Sequence, residues 1–204
     1  MEFSWNESRA AFEVAARWFV ATAAEVGDRW DAPGLGEWNV RALVGHTSRA
    51  MLTVEAYLAK PADTVDLESA SRYYRTARST TSGPAVTQRG IDAGQSLGSQ
   101  PAAAVVEIAD RVVHLVETCS GDELLTSIAG GMRLCDYLPT RTFELTIHTC
   151  DVAAALDLPL AVPTPAAAQA MQIISELIAD DPRAGTVLLA LTGRTGLPLD
   201  FSVL

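Results

Sequence analysis

Apolar residues recur at three- and four-residue intervals along most of this chain, a period that suits helices and not strands. Residues 4–28 show it first. Phe12, Ala15, Ala16, Phe19 and Ala23 fall on one face, and Ser4 can cap the start. The stretch 31–38, with Pro33, Gly34 and Gly36, reads as a turn. A second helix is expected from Asn39, a good N-cap, to Ala59, with Pro61 stopping it. Residues 66–98 read less clearly, as a helical piece around 67–78, a break at Ser82-Gly83-Pro84 and a second piece around 85–97. Pro101 opens a strong helix to about Cys119, followed by Gly121 and the Gly130-Gly131 pair. Another helix spans roughly 136–157, closed by Pro159. Thr164 or Asp181, each followed by proline, can start the C-terminal helices, and the tail beyond Gly193 is extended or irregular. With few strand signals, one long crossover and no repeat or linker, the chain reads as all-α. We expect a single domain over 1–204, a four-helix bundle with additional short helices.

Charge narrows the partners. The net charge is −10 and the pI about 4.7, which argues against nucleic acid and anionic membranes, both of which want a basic surface. No apolar run approaches the roughly 18 residues needed to cross a bilayer, and residues 1–12 carry Glu2, Glu7 and Arg9 where a leader would be basic and then apolar. The expected location is the cytoplasm. Cys119, Cys135 and Cys150 are odd in number and lack C-x-x-C spacing, so they read as buried or half-buried thiols.

There are three histidines, and each can be weighed by its helical face. Glu144 and His148 are four residues apart on the 136–157 helix, which puts both side chains on one face, one turn apart, where they can chelate one ion. Tyr137, Arg141, Asp151 and Ala155 share that face, and apolar Leu145, Val152, Phe143 and Ile147 flank it. A glutamate and a histidine between apolar flanks are costly to bury unless paired or ligated. His46 points from a face carrying Asn39, Leu43, Ala50, Thr53 and Tyr57, with Arg49 and Glu55 off its centre. His114 is the internal control, on a face with Glu107, Asp110, Arg111, Glu117 and Thr118, and reads as a solvated histidine. Singly, each pattern is as well explained by a core histidine or a surface charge pair. Together, two helices aiming ligand-type groups at the core point to a metal site. A His, His, Glu set leaves a position for water or substrate, the arrangement of catalytic zinc, although nickel and iron also accept these ligands.

The stretch from Trp30 to Tyr57, W-D-A-P-G-L-G-E-W-N-V-R-A-L-V-G-H-T-S-R-A-M-L-T-V-E-A-Y, resembles the DinB/YfiT-like bundle superfamily. T-R-T-F-E-L-T-I-H-T-C-D-V-A-A-A-L at 140–156 and the tail A-L-T-G-R-T-G-L-P-L-D-F-S-V-L at 190–204 are similar to the mycothiol-dependent maleylpyruvate isomerase family, in its N-terminal metal-binding domain. The resemblance is weakest over 60–100. It implies a metal, usually zinc, between helices, with the family's ligands falling on His46, Glu144 and His148. It also implies mycothiol, the small thiol of high-GC Gram-positive bacteria, as co-substrate. That fits a composition with fourteen arginines and Lys60 as the single lysine. Longer isomerases of the family continue into a C-terminal domain that helps form the active site. Isomerisation of maleylpyruvate itself is therefore not the expected activity.

The leading expectation is a metal-dependent thiol S-transferase or isomerase-type enzyme acting on a small electrophile, through a metal-associated thiolate or water. A non-catalytic metal-binding or stress-related protein of the same fold is the alternative, and a structural domain with His46 in its core is the third. Asp151, one turn from His148, is expected to orient that imidazole, or else to lie on the helix surface. Arg141 is expected to neutralise Glu144 or bind an anionic substrate, or to form a simple i,i+3 ion pair. Arg72, Arg75, Arg78 and Arg89 in the crossover read mainly as a solvated face, with lining of a pocket mouth as the other reading. Trp30 and Trp38 frame the turn. The oligomeric state is open, with a homodimer among the options.

Overall fold

The computed structural model describes residues 3–78, 84–199 and 201–204. Of the break expected at Ser82-Gly83-Pro84, Ser82 and Gly83 lie outside the described residues. Among those described, the chain is helical apart from one short hairpin: α1 (Trp5–Ala24), α2 (Val40–Leu58), α3 (Ala70–Ala77), α4 (Pro84–Ser96), α5 (Pro101–Glu117), β1 (Leu124–Ser127), β2 (Gly130–Arg133), α6 (Leu134–Ala155), α7 (Thr164–Ala179) and α8 (Ala184–Leu191). The all-α expectation holds. No helix among them is long and apolar enough to cross a membrane.

The four long helices α1, α2, α5 and α6 form the bundle, each touching two of the others across a shared core. Phe12, Phe19, Leu43, Met51, Val112, Leu138 and Leu145 fill that core. Local chemistry sets the starts. Ser4 caps α1 in a reciprocal box with Glu7, and Asn39 Oδ1 accepts from the Ala42 N–H at 2.9 Å to open α2. The crossover lays α4 along α2 and α3 against α6 and α7.

α4 comes close enough to α2 for their backbones to meet. A Cβ on Gly45 would lie 2.2 Å from the Gly94 amide nitrogen, and one on Gly94 would lie 2.7 Å from the Arg41 carbonyl. Only hydrogen fits at either position, and this crossing sits one residue before His46.

The hairpin was not read from the sequence. Leu124 to Ser127 pairs antiparallel with Gly130 to Arg133. The Gly130-Gly131 pair opens β2, and the strand residues Met132-Arg133 run directly into α6. The helix therefore starts at Leu134, two residues before the expected Asp136. Its first amides are held by carbonyls of the preceding loop, Leu134 N–H to Glu123 at 2.8 Å and Cys135 N–H to Gly121 at 2.9 Å, with no side-chain cap. Of the expected C-terminal starts, Thr164 opens α7, whereas α8 begins at Ala184, and Asp181 lies in the turn ahead of it with its Oδ1 accepting from the Arg183 N–H at 2.8 Å.

A candidate metal centre between α2 and α6

α2 and α6 pack directly, and the charged stripe of α6 meets His46 of α2 along that seam. The His46 and His148 rings stand edge to face, centroids 4.7 Å apart at 85°. His148 Nε2 lies 3.3 Å from Glu144 Oε2. One ligand atom from each of the three side chains falls within 4.8 Å of the other two, and no fourth histidine, cysteine or carboxylate joins them among the described residues. Two donors of a tetrahedral ion bound at about 2.1 Å sit about 3.4 Å apart. The Glu144–His148 edge is already that short, and no edge needs to contract by more than about 1.4 Å. Glu144 and His148 keep 23% and 18% of their side-chain surface exposed, so the cluster is reachable from outside.

The surroundings hold each group in a distinct state. Burial pushes the His46 imidazole down to about 4, with the neighbouring His148 charge acting the same way, so it is neutral at pH 7. Its Nδ1 is buried without a hydrogen-bond partner, which is costly for an imidazole unless something ligates it. The Trp38 indole lies against the ring, centroids 4.4 Å apart, and is itself fixed by Nε1–H donating to the Thr87 carbonyl of α4 at 2.9 Å. Burial opposes charge on His148 too, but the hydrogen bonds to Asp151 and Glu144 prevail and hold it at about 9. Burial would likewise raise Glu144. The His148 hydrogen bond, the Arg141 charge and the Tyr74 hydroxyl bring it instead to about 2. The cluster thus stores one proton, on His148, between two carboxylates.

Asp151 Oδ2 lies 3.0 Å from His148 Nδ1. That contact fixes which nitrogen faces Glu144, as expected of a residue behind a metal-facing imidazole. Arg141 behaves differently from the simple ion pair considered for it. No carboxylate pairs with it among the described residues. It is buried, donates from Nε to Thr140 Oγ1 at 2.9 Å and from an Nη to the Tyr73 hydroxyl at 3.3 Å, and lies over the Tyr73 and Tyr137 rings. It acts on Glu144 through space. The crossover arginines mostly face elsewhere. Arg75 bonds to the Glu176 carbonyl and pairs with Asp180, and Arg78 bonds to the Val203 carbonyl. Arg89 of that set, together with Arg49 of α2, is felt electrostatically at His46. His114 is exposed on its charged face, beside Glu117.

Residues 10–153 match the family model described as mycothiol maleylpyruvate isomerase N-terminal domain, well over half of the chain. The chain belongs to that family. No curated protein and no solved structure gave a significant match. All three clustered residues, and Asp151, fall inside the mycothiol maleylpyruvate isomerase match, whereas α7, α8 and the tail fall beyond it.

Two residues of the centre escaped the sequence reading. Trp38 frames the turn as expected, but its ring also stacks on His46. Tyr74, from α3, donates its hydroxyl to Glu144 Oε1 at 2.8 Å and to the Thr140 carbonyl at 3.1 Å. Burial and the Glu144 charge push its phenol well above the ordinary range, so it is always a donor. Ala70, Tyr73, Tyr74 and Ala77 form a buried face at helical spacing, which was a usable signal for burial. What that face meets depends on tertiary packing.

Proposed function

We propose that this chain binds a divalent metal, zinc foremost, through His46, Glu144 and His148, and uses it to transfer a small thiol to, or isomerise through that thiol, a small electrophile. The family points to mycothiol as the thiol. The observation that carries the reading is the convergence of one ligand atom each from His46, Glu144 and His148 within 4.8 Å of one another, beside which His46 also has a buried Nδ1 without a hydrogen-bond partner. The donor set fits zinc, and also nickel or iron. When bound, such an ion favours the deprotonated form of a thiol or water at its open position and polarises a carbonyl.

The chain's own groups supply the rest. Neutral His46 offers a lone pair at pH 7, while His148 must give up its proton before it can do the same. Asp151 orients His148 and Tyr74 orients Glu144. Arg49, Arg89 and Arg141 gather positive charge around the centre in a chain of net charge −10, which suits an electrophile bearing an anionic group.

The test is metal analysis of untagged protein, followed by mycothiol consumption with a panel of electrophiles, with and without chelator. We expect about one equivalent of metal and thiol consumption that chelation and His148→Ala both remove. Metal retention without turnover on any electrophile would leave a non-catalytic metal-binding protein, and absence of metal would overturn the reading altogether.

A further inference from the structure

We propose that Tyr74 is the positioning residue that makes Glu144 a one-oxygen ligand, an inference that rests on the metal reading above. A carboxylate has two oxygens and about four lone-pair directions, and a free one can meet a cation through either or both. Here the choice is made before any ion arrives. The Tyr74 hydroxyl holds Oε1 at 2.8 Å, while Oε2 lies 3.3 Å from His148 Nε2, on the edge that faces the histidine. The second contact of the hydroxyl, 3.1 Å to the Thr140 carbonyl, is also to an acceptor, so the single phenol hydrogen is shared between the two, with the shorter contact to Glu144.

The phenol cannot easily swing away. It is 9% exposed, and its ring packs edge-on against Phe143 at 5.2 Å and Tyr73 at 5.4 Å. A purely structural role would be to satisfy a buried hydroxyl, and the Thr140 carbonyl, one turn before Glu144, would suffice for that. The shorter bond goes to Glu144. A carboxylate held by one oxygen leaves free the coordination position that its second oxygen would occupy, and that position is where an entering thiol or water would bind. The crossover, which carries none of the three candidate ligands, thereby sets how open the centre is.

Tyr74→Phe removes one oxygen atom and keeps the ring packing. The experiment titrates Zn²⁺ and Co²⁺ into the untagged full chain against a chromophoric chelator. Visible absorption of the Co²⁺ form reports coordination number, because four-coordinate Co²⁺ absorbs more strongly than five-coordinate. We expect Tyr74→Phe to weaken metal affinity about 10–100-fold and to dim the Co²⁺ bands as Glu144 takes up two-oxygen binding. The melting temperature of the metal-free variant reports any structural loss separately.

Replacing Tyr74 with 4-aminophenylalanine restores a donor at the same place and should recover both affinity and spectrum. Replacement with 4-methylphenylalanine fills the volume without a donor and should not, and this pair decides the matter if Tyr74→Phe does not fold. Unchanged affinity and spectrum in Tyr74→Phe, or identical behaviour of the amino and methyl replacements, overturns the role of Tyr74 and leaves the metal centre standing. Failure of the unmodified chain to bind either ion overturns both.

Discussion

Metal uptake at pH 7 should release about one proton, and the proton should come from His148. With His148 near 9, His46 near 4 and Glu144 near 2, the metal-free cluster at pH 7 carries about 0.99 proton on His148 and essentially none on the other two. Two histidines of ordinary pKa, about 6.5, would together release only about 0.5. Displacing the proton two pH units below its pKa costs on the order of 3 kcal/mol, so affinity at pH 7 should be about 100-fold weaker than above pH 9. Between pH 6.5 and 8 the apparent Kd should fall about tenfold per unit. Calorimetric titration of Zn²⁺ in buffers of different ionisation enthalpy counts the protons, and chelator competition across pH gives the slope. Asp151→Asn removes the negative charge 3.0 Å behind His148 and should lower the count. A release of half a proton or less in the unmodified chain, or an affinity flat between pH 6.5 and 8, would refute the assignment of the stored proton.

The same shifts set the pH stability of the metal-free protein. His148, raised from 6.5 to about 9, contributes stability that is full below pH 6.5 and lost as pH rises through 9, so urea midpoints should decline over that window by an amount on the order of 3 kcal/mol. Zinc at about 100 times its Kd should add about 2.7 kcal/mol, a rise of roughly 5–10 °C in melting temperature for a chain of this length. His46→Ala should abolish that rise, and His114→Ala, on an exposed charged face, should leave it intact. Gly45→Ala drives a methyl to 2.2 Å from the Gly94 backbone and should cost about 3 kcal/mol in denaturant unfolding. Gly185→Ala, with open space around it in α8, should be neutral or stabilising by about 0.5–1 kcal/mol.

What could be read in the sequence was whatever a single helix period encodes. Glu144, His148 and Asp151 share one face of one helix, so their proximity follows from spacing alone, and the charged face of His114 excluded it in the same way. Pairing His46 with that face needed only two amphipathic helices in one bundle. The β-hairpin was missed because four-residue strands beside glycines carry too little alternation to register, and the extended Met132-Arg133 segment then displaced the start of α6. Arg141 was read by its neighbour at i+3, whereas it is buried between Tyr73 of α3 and Tyr137 of its own helix, and the first of these partners comes from another element. Trp38 and Tyr74 belong to a turn and to the crossover, whose place over the seam depends on contacts such as Gly45 against Gly94.

That division has a physical consequence for the centre. The groups proposed to hold the ion stand on α2 and α6, two helices locked by the bundle core, so their Cα positions change little whether or not a ligand is present. The groups that set charge and orientation come partly from elsewhere, Tyr74 from α3 and the clamp on Trp38 from α4. The protonated His148 ring donates from Nε2 toward Glu144 and from Nδ1 toward Asp151, and its charge keeps two partly buried carboxylates from facing each other unpaired. A divalent ion held by His46, Glu144 and His148 would supply two positive charges where the His148 proton supplies one, so the carboxylates would stay compensated without a shift of the helices. On the proposed metal reading, the site would stay folded while empty, and its affinity would be set by how firmly Asp151 and Glu144 hold that proton.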